Sequence, residues 1–144
     1  FIQAGRPSDA FAAPLAEVNT SGLRIELTSV SNNSYELFIG LDGDESSEFP
    51  EVPAPKILVL TNPVRLVVDV PGATAKRTQT LKLKDSLIGA FRYAPFGGGT
   101  RLVCDIKVGV EPQFIWQKDP TDGSVTVNFT FDLDKVQTEK PPIN

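Results

Sequence analysis

Apolar and polar residues alternate with a period of two along most of this chain, and that pattern selects strands over helices. Leu23, Ile25 and Leu27 alternate with Arg24, Glu26 and Thr28. A Ser31-Asn32-Asn33-Ser34 turn follows, and then Tyr35, Leu37, Ile39 and Leu41 alternate with Glu36, Phe38 and Gly40, a hairpin signal. Further strands are expected at 57–60, 65–70, 80–84, 90–94, 101–110, 113–117 and 125–131. Ile57–Leu60 alternates little, as a strand buried on both faces would. Only Asp85–Gly89 is a candidate for a helical turn. Eight or nine short strands, punctuated by 12 prolines and 11 glycines, predict an all-β sandwich or barrel.

The 144 residues suit one domain. Residues 1–21, rich in Ala, Pro, Ser and Asn, read as a linker or N-terminal arm, 22–132 as the folded unit, and 133–144, with Pro141-Pro142, as a C-terminal linker. The chain begins at Phe1 and contains no Met, as expected of a processed product or an excised piece. The longest aliphatic run, Ile57 to Leu60, is far short of the roughly 20 residues of a membrane span, and no apolar signal segment is visible.

The absence of histidine removes Ser-His-Asp and Cys-His nucleophiles and His-based zinc sites, and the lone Cys104 makes neither an internal disulfide nor a thiolate site. No metal and no cofactor is expected. A net charge of −4 disfavours duplex nucleic acid as a partner. Charge is uneven, however: residues 1–72 carry 4 basic and 10 acidic groups, residues 73–144 carry 10 basic and 8 acidic, which allows a locally basic face.

Two segments 36 residues apart echo each other: Arg65-Leu66-Val67-Val68-Asp69-Val70 and Arg101-Leu102-Val103-Cys104-Asp105-Ile106. Regions 57–84 and 90–117 therefore read as two copies of a strand–turn–strand–loop–strand unit. Two copies are too few for a solenoid, and a pseudo-twofold pair of similar sheets is expected instead. Alternation turns Leu66, Val68, Val70, Leu102, Cys104 and Ile106 to the core, and Arg65, Val67, Asp69, Arg101, Val103 and Asp105 outward. Arg and Asp four positions apart on one strand are about 13 Å apart, so they bond to neighbouring strands or to a ligand rather than to each other.

At these residues the sequence resembles the AMIN domain, a bacterial cell-envelope module of periplasmic N-acetylmuramoyl-L-alanine amidases and type IV pilus secretins. The resemblance is carried by Asn62 to Gly72, Ile88-Gly89-Ala90-Phe91-Arg92-Tyr93 and Thr100 to Ile106, and the opening Thr28 to Asp42 is similar as well; together it covers about 26–131. Cys104 departs from the aliphatic residue usual there. The resemblance implies a sandwich of two symmetric sheets, outward motifs, a periplasmic location and peptidoglycan as the ligand.

On that footing Arg65, Asp69, Arg92, Tyr93, Arg101 and Asp105 are candidate peptidoglycan-binding residues. The competing reading is that Arg65, Asp69, Arg101 and Asp105 form ion pairs on the sheet surface and that Arg92 and Tyr93 are ordinary edge-strand residues. Gly97-Gly98-Gly99-Thr100 lacks the Gly-Lys-Ser/Thr of a phosphate loop and reads as a hairpin turn. Asp42 to Glu48 begins like a calcium loop but has Ser47 and Pro53 where Gly and Glu belong, so it reads as a solvated loop. Trp116 is expected in the core. Two functions follow: a non-catalytic wall-targeting module of a secretin or amidase, or a structural domain whose exposed sheet edges or outer faces bind pilus or secretin assembly proteins, as in strand addition. A carboxylate-dependent glycan hydrolase is the least favoured, because no acidic pair sits in a recognisable context.

Overall fold

The computed structural model describes residues 13–20, 22–41 and 51–138. Ten strands form two five-stranded antiparallel sheets. The strands are β1 (Ala16–Thr20), β2 (Leu23–Ser29), β3 (Ser34–Leu41), β4 (Lys56–Leu60), β5 (Arg65–Pro71), β6 (Gln79–Lys82), β7 (Ile88–Phe96), β8 (Gly99–Ile106), β9 (Gln113–Lys118) and β10 (Val125–Thr130). The first sheet runs β1-β2-β3-β10-β9 and the second β4-β5-β8-β7-β6. The sandwich expected from the alternation is what forms.

Period two sorts each strand between core and surface. Leu23, Ile25 and Leu27 of β2, with Leu37 and Ile39 of β3 and Val125, Val127 and Phe129 of β10, are fully buried from the first sheet. Leu66, Val68, Val70, Leu102, Cys104 and Ile106 meet them from the second, and all belong to one apolar cluster. Tyr35 stacks on Phe129 at 5.3 Å and meets Phe131 edge-on at 5.9 Å. A register shift between Ile88 and Ala90 lets Ile88 and Phe91, three apart, both point inward.

One polar residue ties the sheets together. The Asp85 carboxylate, in the loop between β6 and β7, accepts the Tyr35 hydroxyl of the first sheet at 2.5 Å and the Leu87 and Ile88 amides, each at 3.0 Å. This Asp caps a turn, so the helical turn considered for Asp85–Gly89 does not form.

Several boundaries differ from expectation. The stretch 1–21 supplies β1, which pairs with β2 in the register Ala16↔Leu27 to Thr20↔Leu23. Its two apolar positions, Ala16 and Val18, are buried. The stretch 133–144 supplies α1 (Leu133–Thr138), whose first turn is capped by the Asp132 carboxylate accepting the Asp134 amide. β4 is an edge strand and only partly buried, not covered on both faces. β8 stops at Ile106, and β7 extends through Pro95 to Phe96, making it the longest strand.

The duplicated motif also sits differently. Its two copies do not contribute one sheet each: β5 and β8 are antiparallel neighbours in the same sheet, with Val67 opposite Val103. The local twofold passes between those valines. The third strand of the first copy, β6, stays in this sheet, whereas that of the second, β9, joins the other. The physical reason is that an Arg-x-x-x-Asp strand is complementary to an antiparallel copy of itself, since Arg65 then faces Asp105 and Asp69 faces Arg101.

Cys104 lies in the core, 1% exposed, and burial next to the Asp105 charge pushes its thiol up to about 12. It should therefore resist thiol reagents at pH 8 until the chain is unfolded, and Cys104→Val should cost less than about 1.5 kcal/mol as an apolar swap of similar volume. Labelling with and without denaturant checks this, and rapid native labelling would contradict the strand phase.

Candidate functional site

The outer face of the second sheet reads as a grid. Lys56, Asp69, Arg101 and Ala94 form one row across β4, β5, β8 and β7; Leu58, Val67, Val103 and Arg92 the next; Leu60, Arg65, Asp105 and Ala90 the third. Thr80 and Lys82 of β6 extend the last two rows. The central row is apolar at Leu58, Val67 and Val103, and those two valines are 2% and 9% exposed although they face away from the core.

Two of the three motif-face arginines are held by carboxylates. Arg101 donates to Asp69 through Nε at 2.8 Å and Nη2 at 2.9 Å, a fork-to-fork pair between directly opposed residues. Phe96, at the end of β7, covers the same guanidinium, with its ring centre 3.6 Å from Cζ. Its hydrogen bond to Asp69 raises the Arg101 pKa further above its ordinary value. Arg92 makes the second bidentate pair, Nε to Asp105 Oδ2 at 3.0 Å and Nη2 to Asp105 Oδ1 at 2.8 Å, on a diagonal between β7 and β8.

Arg65 is the exception. The local twofold would give it Asp105, but Arg92 occupies both oxygens of that carboxylate. The twofold-equivalent position of Arg92 is Leu58, which carries no charge and so leaves the first copy without a competitor. Arg65 donates Nε to the Pro63 carbonyl at 3.1 Å and has no carboxylate partner among the described residues. With Lys56 and Lys82 also exposed, five cations stand against Asp69 and Asp105 on this face. A basic surface thus forms on a chain whose net charge is −4.

Five of the six expected site residues, Arg65, Asp69, Arg92, Arg101 and Asp105, share this face. Tyr93 does not. It is 3% exposed, points into the core and donates its hydroxyl to Gln79 Oε1 at 2.7 Å. Adjacent residues on a strand point to opposite faces, so Arg92 outward forces Tyr93 inward. Phe96 is the aromatic that the face does display, 49% exposed. The signal for it lay in alternation through Arg92, Ala94 and Phe96.

The glycine run makes a two-residue hairpin turn: Gly97 and Gly98 have φ of +57° and +79°, which side chains tolerate poorly. Of the acidic loop, residues 42–50, and with them the calcium-loop reading, lie outside the described residues. Among the described residues no group of three or more Cys, Asp or Glu is placed to hold a metal ion. None of the described helices is long and apolar enough to cross a membrane.

The first sheet shows two further features. A polar groove of about 520 Å³ lies on its outer face, lined by residues that include Glu36, Phe38, Gln117, Thr126 and Asn128. Its edge strand β9 exposes Phe114, Ile115 and Trp116 at 40%, 62% and 36%. Trp116 is therefore not in the core. It is opposite the buried Val127 and so shares that residue's face, but β9 is the outermost strand of its sheet and its inner face is left open.

A two-sheet sandwich that spreads fixed guanidinium–carboxylate pairs over an open sheet face offers contact to a broad partner rather than enclosure to a small one. The AMIN domain family model matches residues 47–129, more than half of the chain, and the chain belongs to that family. AMIN domains are non-catalytic, peptidoglycan-binding targeting modules of amidases and secretins, and occur in periplasmic proteins. The matched segment spans the whole second sheet together with β9 and β10, and begins after β3, so the similar opening stretch Thr28 to Asp42 falls outside it. No curated protein matches the chain.

Proposed function

We propose that this chain binds peptidoglycan with the outer face of β4-β5-β8-β7-β6 and thereby holds a larger envelope protein, a pilus secretin or an amidase, at the periplasmic wall. The observation that carries this reading is the basic surface built on the duplicated motif of an otherwise acidic chain. The wall is an anionic polymer of sugars and short peptides, and such a surface attracts it at long range and contacts it at several points. Flat guanidinium–carboxylate pairs beside Phe96 suit sugar hydroxyls and ring faces.

A second reading, a domain that assembles with pilus or secretin proteins, is supported by β9. It is an edge strand with no proline or acidic residue inside it, and its three consecutive apolar side chains are exposed. Co-sedimentation of the chain with purified sacculi separates the two. The wall reading expects the wild type and an Ile115→Lys variant to sediment alike, and expects sedimentation to weaken as salt rises. A wild type that stays in the supernatant, while Ile115→Lys abolishes capture by a secretin partner, favours assembly instead.

A further inference from the structure

We infer that the two copies of the motif are not equivalent: Arg65 alone is the carboxylate receptor of this face, and its ligand is a carboxylate of the wall's stem peptides. This inference rests on the wall-binding reading.

The guanidinium of Arg101 is charge-balanced by Asp69 through Nε and Nη2 and covered on one side by Phe96. A ligand carboxylate at its remaining N–H donors meets the Asp69 charge and a guanidinium already paired with it. Arg92 is in the same position with Asp105. Each keeps its outer Nη1/Nη2 edge, but on a guanidinium whose charge a carboxylate already balances. Arg65 uses only Nε, on the Pro63 carbonyl at 3.1 Å, and that bond fixes the plane of the group. Its two Nη atoms have no partner among the described residues, so they present parallel N–H donors at the spacing of a carboxylate. The nearest carboxylate by register, Asp105, is engaged on both oxygens and does not compete. Lys56, exposed on the neighbouring β4, adds charge without a fork.

The peptide's carboxylate therefore docks end-on at Arg65, while the charge-balanced pairs at Arg92 and Arg101 act as neutral hydrogen-bonding ground for the sugars. Asymmetry gives the site a direction: a glycan strand lying across the face is read with its peptide toward the β4 edge.

The test is quantitative sedimentation of the whole chain with native sacculi and with sacculi whose carboxylates have been converted to amides by carbodiimide and ammonia. Wild type is expected to lose about tenfold or more in affinity on amidated sacculi, the scale of one charge-assisted pair. Arg65→Gln should lose a similar factor on native sacculi and much less than wild type on going to amidated ones. Arg65→Lys should recover part, because a point charge replaces a fork. Undiminished wild-type binding to amidated sacculi overturns the inference, as does a folded Arg65→Gln that binds native sacculi like wild type. If Arg65→Gln fails to fold, Arg65→Lys carries the same comparison, and equal losses on amidation for it and wild type are the contradicting result. Absence of wild-type binding to native sacculi sinks the wall-binding reading itself, which keeps the two failures distinct.

Discussion

Gly99→Ala should destabilise the domain by about 3 kcal/mol or more, lowering the melting temperature by roughly 10 °C. Gly99 is buried where β7 turns into β8 and lies opposite Pro71. A Cβ built there collides with the Val70 carbonyl oxygen and comes within 2.8 Å of the Pro71 Cα. Both are backbone atoms of the interior strand β5, and neither has a rotamer with which to yield. Relief requires β5 and β8 to separate at the end where Thr100 donates its hydroxyl to the Ala73 carbonyl. Gly97→Ala is the control. Nothing lies within 4 Å of its new Cβ, so it suffers only the left-handed backbone at φ +57°, about 1 kcal/mol. Thermal or urea unfolding of the two variants checks the ordering, and equal losses would contradict the close approach of β8 to β5.

Asp85→Ala should be comparably severe, about 3–5 kcal/mol. One carboxylate oxygen satisfies three donors, the Tyr35 hydroxyl and the amides of Leu87 and Ile88, and deletion leaves all three without that acceptor beside the core. Leu87 and Ile88 are 4% and 0% exposed, so water does not replace the lost bonds cheaply. Tyr35→Phe removes one donor only and should cost about 1–2 kcal/mol. Because these residues share one network, the double variant should lose less than the sum. The same contact gives a pH signature. Burial, then the hydrogen bond to Asp85 and its negative charge, push the Tyr35 hydroxyl well above its ordinary value of about 10. A raised acid holds its proton in the folded state. Its contribution is complete below the ordinary tyrosine range and is lost as the pH climbs from there through the folded value, because the unfolded chain ionises first. Wild-type stability should therefore fall above about pH 10, and Tyr35→Phe should remove that part of the fall.

The sandwich was legible because alternation is a local property. Leu66 to Val70 and Leu102 to Ile106 announce their buried faces without reference to anything distant. β1 was missed because Ala16-Glu17-Val18-Asn19-Thr20 offers only two apolar positions, one of them alanine, and forms a strand because β2 stands ready to pair. Trp116 stands on the strand and face that alternation indicates, but whether a face is covered depends on how far the opposing sheet reaches, which no residue of β9 records. Tyr93 was legible and misjudged: Phe91 and Tyr93 alternate with Arg92, so the tyrosine and the arginine never share a surface. The pairing of the motif arginines needed strand order. Two Arg-x-x-x-Asp strands are complementary when antiparallel, a hint present in the sequence, but that Arg92 would take Asp105 from Arg65 follows only from the diagonal between β7 and β8.

The central claim, that the outer face of the second sheet is where this domain meets peptidoglycan, is tested most directly by amide chemical-shift mapping of the whole chain with soluble glycan–peptide fragments released from sacculi. The account predicts perturbations concentrated on Leu58, Arg65, Val67, Arg92, Arg101 and Val103, with β9 and the groove bordered by Gln117 and Asn128 unchanged. Shifts confined to β9 or to that groove, with the Arg65 row silent, would contradict it.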